Sequence, residues 1–237
     1  MKNIVVIPAR LHSKRFPKKI LFPIDEKPMV VHVYEIAKKS ELVDDVIVAV
    51  DDDETVNELK KWKVKTVMTD ISHSSGTDRV SELSKDTDAD VIVNLQADEP
   101  FLDPNLIDRL INEFEDPLVE MATVAGKELS ADSINDINTV KVLLDAERFA
   151  LAFRRKPLEI ESGGYYHHAG IYAYRKDILD KFTNLDISIN EKKYKLEQLR
   201  AMDNKMSVNV VLANSSPIGV DTLKEYKKVK LLMERNS

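Results

Sequence analysis

The sequence predicts an α/β protein in which a mostly parallel core sheet carries an inserted, more antiparallel lobe. Three observations support that expectation. Short apolar runs in the first half alternate with stretches of helical periodicity. The second half replaces this alternation with strand-like runs and short connections. One more strand-like run and a helical stretch close the chain.

Taken in order, Ile4–Ile7, Val46–Val50, Val64–Met68 and Val91–Leu95 are short apolar runs that read as strands. Between them, Pro28–Lys39, Asp53–Trp62 and Thr77–Lys85 space their apolar residues as amphipathic helices do, and Pro104–Glu115 follows the fourth run. Strands and helices alternating at this interval form βαβ units, whose crossovers leave the strands parallel. Further on, Glu120–Ala125, Thr139–Leu144, Ala150–Phe153 and Tyr166–Tyr174 read as strands with few long helices between them. A helix around Glu191–Met202, a strand at Ser207–Leu212 and a last helix at Asp221–Glu234 follow. The lobe is therefore expected near residues 120–205, with the last strand and helix returning to the core. The segment "ESGGYY" (Glu161–Tyr166) is the most loop-like.

Composition removes several classes of function. The chain has 237 residues, 43% of them apolar, enough for a sizeable core. Its formal net charge of -6 argues against a nucleic-acid binder, which needs a basic surface. With no cysteine, disulfides, thiolate nucleophiles and cysteine-based zinc sites are excluded. The opening apolar run is too short for a signal peptide, and no run approaches the roughly 20 residues of a membrane span. A soluble, cytoplasmic protein without membrane insertion is the expectation. Only 6 glycines occur, and neither GxGxxG nor a Walker A sequence is among them.

Against this acidic background, "VIPARLHSKRFPKKIL" (Val6–Leu21) places Arg10, Lys14, Arg15, Lys18 and Lys19 directly after the first strand. Such a run is either a solvated face or an anion site, in which Arg binds phosphate oxygens in bidentate fashion and Lys acts as a point charge. Ligands of parallel sheets collect beyond the carboxyl ends of the strands. The segment "QADEP" (Gln96–Pro100) also follows a strand, so it and the basic loop should share one crevice. Asp98 there is either a helix N-cap or a ligand for Mg²⁺, which favours one or two carboxylates together with substrate phosphates. Asp221 in "GVD" has the same two readings. In "HSSGTDR" (His73–Arg79), Ser75 or Thr77 can cap a helix, and the small residues also suit a nucleoside-binding turn. His167 and His168 lie in a strand-like run, and Glu197 and Gln198 in an ordinary-looking helix.

Seven stretches in one order carry a resemblance: "IPARLHSKRFPKKIL", "KPMVVHVYE", "SSGTDRVSE", "VNLQADEP", "HAGIYAYR", "LEQLR" and "GVDT". Together they resemble the CMP-Kdo synthetase (3-deoxy-manno-octulosonate cytidylyltransferase) family from Ile4 to about Met233. The resemblance implies one Rossmann-like nucleotidyltransferase domain over 1–237, whose inserted lobe binds sugar and makes a homodimer. It also implies transfer of CMP from CTP to a 3-deoxy-octulosonic acid, releasing pyrophosphate, for lipopolysaccharide or capsule synthesis. By resemblance Arg10, Ser13, Arg15 and Lys19 meet the triphosphate, and Ser75, Gly76 and Arg79 hold the cytidine. Lys19, Arg15 and Asp98 serve the chemical step, and Asp98 and Asp221 match magnesium-binding aspartates. Gln96, Arg155, His168, Tyr172, Glu197 and Gln198 fall on sugar-binding positions.

Three positions depart from the family pattern. Lys18 and Ala97 stand where the family usually has glycine, and Arg154 replaces a small serine beside Arg155. The segment from Pro157 to His167 is also short. These departures bear on which sugar is used, Kdo or its 8-amino-8-deoxy relative. A sibling enzyme acting on a nine-carbon, sialic-type acid and a non-catalytic nucleotide-binding module are the alternative readings.

Overall fold

The computed structural model describes residues 1–12, 16–129, 134–157, 164–214, 218–220 and 222–234. Its contacts divide the chain into two units, Met1–Asp108 with Ile218–Ser237, and Arg109–Pro217.

The first unit contains the parallel sheet. Strands β1 (Asn3–Ala9), β4 (Asp45–Val50), β5 (Thr66–Met68) and β6 (Val91–Leu95) pair parallel in the order β5-β4-β1-β6. Every residue of β1 and β6 is buried, as continuous apolar runs in a doubly covered sheet require. Helices α1 (Met29–Ala37), α2 (Asp53–Lys60) and α3 (Gly76–Lys85) make the crossovers. From β1 the chain builds outward through β4 to β5, then α3 carries it back so that β6 lies on the other side of β1. The order reverses between β1 and β6, and a ligand crevice opens at such a switch point.

A two-residue hairpin, β2 (Pro23–Ile24) with β3 (Lys27–Pro28), precedes α1. Its turn residues Asp25 and Glu26 have φ of 46° and 65°, as a primed turn demands. The last helix, α8 (Leu223–Glu234), belongs to this unit, where Tyr226 and Val229 pack with Phe16, Ile24, Met29 and Val220. The Phe16 and Phe22 rings lie 4.7 Å apart, and Tyr226 sits edge-on 5.0 Å from Phe22. This aromatic cluster fixes the end of the basic loop.

Helix α4 (Asn105–Asn112) contains the boundary, and the second unit is the more antiparallel one. Strand β7 (Met121–Glu128) pairs antiparallel with the eleven-residue β10 (Tyr165–Arg175). Strand β8 (Lys141–Leu144) pairs antiparallel with both β10 and β9 (Ala150–Arg154). Strand β11 (Val208–Leu212) pairs parallel with β7. One feature differs from expectation. The helix expected over Glu191–Met202 is two, α6 (Ile189–Tyr194) and α7 (Leu199–Asp203), broken where Lys195 adopts φ 55° and buries Leu196 beyond it. Helix α5 (Lys176–Thr183) follows β10 without a spacer.

Candidate functional site

A cleft of about 400 Å³ opens at the switch point, entirely within the first unit. Three segments line it: the basic loop after β1, the turn into α3 and the residues after β6. Arg10, Lys19, Ser75, Gly76, Arg79, Gln96 and Asp98 all face it. Ser13, Arg15 and Asp221 lie outside the described residues.

Each wall has a local cause. The basic loop ends in a 3₁₀ turn, Lys19–Leu21, anchored by buried Ile20. Lys18 opens that turn at φ 53° and ψ 26°, the left-handed region that glycine enters most easily. A lysine is tolerated there, and its ammonium reaches both oxygens of Glu54 at 2.6 and 2.7 Å. The α3 wall begins with a capping box. The Ser75 hydroxyl accepts from the Asp78 N–H at 3.1 Å, and the Ser75 N–H donates to Asp78 Oδ2 at 3.1 Å. Ser75 therefore meets both of its sequence readings, as cap and as cleft wall. A Cβ at Gly76 would stand 3.1 Å from the Pro8 ring, so this glycine lets α3 close on the end of β1.

Two ion pairs set the electrostatics. Lys19 Nζ lies 2.6 Å from Asp98 Oδ2, at the mouth of the cleft. Arg79 and Asp51 form a deeper pair at 3.2 Å, their side chains 2% and 4% exposed. Arg79 also donates to Thr69 Oγ1, while Asp51 Oδ1 accepts the Leu11 N–H at 3.1 Å. Arg79 therefore faces the cleft with much of its donor capacity directed into the protein. Sequence reasoning passed over Asp51; the signal was three consecutive aspartates, Asp51–Asp53, directly after a strand. It also left His73 without a role, although His73 lines the cleft and is bonded to Glu82.

The second unit gathers a different set. His168 is buried in β10, with Nε2 3.1 Å from Thr123 Oγ1 and its ring edge-on to Phe153. Tyr172 lies on the same strand, its ring 5.4 Å from that of His168. Burial, and then the Glu197 carboxylate, push the Tyr172 phenol well above its usual range, so it remains a protonated donor. Glu197 and Gln198 sit between α6 and α7, where Arg200 reaches Glu197 at 3.8 Å and makes two bonds to Glu191 at 2.7 and 2.8 Å. Arg154 ends β9 opposite Lys141, whereas Arg155 lies one residue beyond the strand, exposed, with Nη1 3.3 Å from the Ile137 carbonyl.

Burial, reinforced by the neighbouring His167, lowers the His168 pKa from 6.5 to about 3. The unfolded chain takes up this proton near pH 6.5 and the folded chain only near 3, so stability is full above 6.5 and falls as the pH drops. Between pH 7 and pH 5 this single ring is expected to remove about 2 kcal/mol. Urea unfolding at the two pH values, compared with His168→Gln, measures it. An equal pH dependence in both proteins would refute the assignment.

Comparison with known proteins gives a consistent picture. The model of a family described as cytidylyltransferase matches residues 4–208. The chain is 38% identical to the 3-deoxy-manno-octulosonate cytidylyltransferase of Chloroherpeton thalassium, with 99% of each chain covered. It is also 38% identical to the enzyme of that name from Geobacter sulfurreducens, covering 97% of this chain and 98% of the relative. Among solved structures, a CMP:2-keto-3-deoxy-manno-octonic acid synthetase complexed with CTP superposes with a TM-score of 0.95 at 37% identity, each chain fully covered. A glucose-1-phosphate thymidylyltransferase from Bacillus anthracis, at 15% identity and a TM-score of 0.71, shares the fold.

Proposed function

The chain belongs to the 3-deoxy-manno-octulosonate cytidylyltransferase family, and from that premise we propose that it transfers CMP from CTP to a 3-deoxy-octulosonic acid. The observation that carries this reading is the switch-point cleft, where Arg10, Lys19, the first turn of α3 and Asp98 converge. Cations and a helix N-terminus suit a triphosphate. In the reaction, the anomeric hydroxyl of the sugar attacks the α-phosphorus in line. A new O–P bond forms as the bond from the α-phosphorus to the pyrophosphate oxygen breaks, and the hydroxyl proton passes to solvent. Positioning and charge stabilisation are the protein's share of the work. Lys19 and Arg15 offset the charge growing on the departing pyrophosphate.

Mg²⁺ is part of the same proposal. Asp98 offers a carboxylate at the mouth of the cleft, and the Val220 N–H bonds its backbone carbonyl at 2.8 Å, one residue before Asp221. Mg²⁺ takes part of its shell from substrate phosphate oxygens, so one or two carboxylates suffice to hold it. Asp98 and Asp221 would hold it; when bound it supplies Lewis-acid polarisation and lowers the pKa of a coordinated hydroxyl.

The sugar acid falls to Gln96, His168, Tyr172, Glu197 and Gln198, with Arg155 pairing with its carboxylate. Ala97, buried in the cleft wall, adds a methyl where the family has none, and favours testing the 8-amino sugar beside Kdo. A homodimer, a cytoplasmic location and a product used for lipopolysaccharide or capsule belong to the same reading. No helix among the described residues is long and apolar enough to cross a membrane.

The test is pyrophosphate release with CTP, Mg²⁺ and a panel of acids: Kdo, 8-amino-8-deoxy-Kdo and a nine-carbon sialic acid. Release is expected with CTP and an octulosonic acid, and not with UTP or ATP. Turnover of the nine-carbon acid alone would overturn the substrate, and no turnover with any acid would overturn the activity.

A further inference from the structure

We infer that Asn94 is a positioning residue: through a buried relay from Thr77, it turns the side-chain amide of Gln96 so that the carbonyl oxygen faces the cleft. The inference rests on the reading that Gln96 meets the sugar acid. Strand β6 reads VIVNL and is buried throughout, with Asn94 only 1% exposed. A carboxamide amid valine, isoleucine and leucine is costly unless its bonds are satisfied. Asn94 Nδ2 donates to Thr77 Oγ1 at 3.2 Å, and Asn94 Oδ1 accepts from Gln96 Nε2 at 2.9 Å. Thr77 is 2% exposed, in the first turn of α3.

The spacing explains why the two amides meet. Residues two apart on a strand share a face. Asn94 lies inside β6 and Gln96 just past its end, where it lines the cleft. An isolated glutamine amide can rotate by half a turn and present either a donor or an acceptor. Here one N–H is committed to Asn94, and no described residue donates to Gln96 Oε1. The group offered to a ligand is an acceptor suited to a substrate hydroxyl. A site built to bond a hydroxyl rejects ligands that lack it.

The experiment is steady-state kinetics, each substrate varied in turn, on Asn94→Leu, Gln96→Met and the double variant. Side-chain amide hydrogen exchange of Gln96 is followed by NMR in the free protein. One hydrogen bond of ordinary strength corresponds to roughly 3- to 10-fold. Asn94→Leu is expected to lower kcat/KM for the sugar by that factor, with KM for CTP nearly unchanged. The double variant should be no worse than Gln96→Met alone, because the relay acts only through Gln96. Gln96 amide exchange should be slow in the wild type and fast in Asn94→Leu. Thr77→Val, which removes the far end of the relay, should give the same changes and serves if Asn94→Leu does not fold. Multiplying effects in the double variant, or equal amide exchange with and without Asn94, would refute the relay and leave the proposed function standing. A sugar kcat/KM untouched by Gln96→Met would instead remove Gln96 from the substrate site, and the relay's role with it.

Discussion

Lys19→Ala is expected to lower turnover by on the order of 10²-fold or more, and Asp98→Asn to lower it at least as far, while the folded protein stays nearly as stable. Lys19 is held in place by its turn: its N–H bonds the Phe16 carbonyl at 3.2 Å, Ile20 beside it is buried, and its ammonium lies 2.6 Å from Asp98. A charge fixed in this way stabilises a leaving pyrophosphate without reorganising when the bond breaks. That stabilisation grows towards the transition state, so kcat should fall more than the KM for CTP rises. Asp98→Asn keeps the side-chain shape and removes the negative charge that pairs with Lys19 and that the proposed Mg²⁺ would need. The pair is part-buried but borders the open cleft, so solvent screening holds its contribution to folding to on the order of 1 kcal/mol. Pyrophosphate release and thermal melts on the same preparations separate the two quantities. Turnover within threefold of wild type for Lys19→Ala would remove it from the chemical step.

The parallel half of the fold was legible because its strands advertise themselves. Val91–Leu95 has the expected bounds, and β1 and β4 are longer than expected by three residues and one. Continuous β-branched runs separated by helical periodicity leave few alternatives when both sheet faces must be covered. Elsewhere the signals were weak for identifiable reasons. The β2–β3 turn uses Asp25 and Glu26 at positive φ in place of the usual Asn-Gly, so nothing in composition marked it. Lys195 breaks the expected long helix from the same left-handed region, again without glycine. The partner of β11 depends on contacts distant in sequence, which periodicity cannot supply.

The cleft divides along the same line. Motifs close in sequence, the basic loop, the serine-glycine turn and QADEP, were each visible, and the switch point explains why they converge. Residues that act by holding others were not. Asp51 and Asn94 were given no role, and Thr77 only that of a possible helix cap, because what each holds is known only once its buried partner is. Lys18 shows the opposite case. The departure from a family glycine was evident in the sequence, but its left-handed backbone and its ties to Glu54 required the structure.

Asp51→Asn is expected to destabilise the protein by about 3–5 kcal/mol, the largest folding effect among these positions. The substitution keeps the size of the side chain and an oxygen that can accept the Leu11 N–H, so packing and the base of the loop are little changed. What it removes is the charge opposite the Arg79 guanidinium, buried with its side chain 2% exposed. Arg79 cannot shed its proton, and with its side chain only 2% exposed it meets little water even where it borders the cleft. Its remaining bonds to Thr69 Oγ1 and the Val50 carbonyl are to neutral acceptors. Most proteins are stable by only about 5–15 kcal/mol, so a loss of this size should lower the melting temperature by roughly 10 °C or more. Urea unfolding measures it directly. The pair Asp51→Leu with Arg79→Met should recover much of the loss, because two apolar side chains of similar volume need no counter-charge. That double variant should still bind CTP poorly, since Arg79 also forms part of the cleft wall. If Asp51→Asn stays within 1 kcal/mol of the wild type, the buried pair is not what fixes α3 against the strand ends.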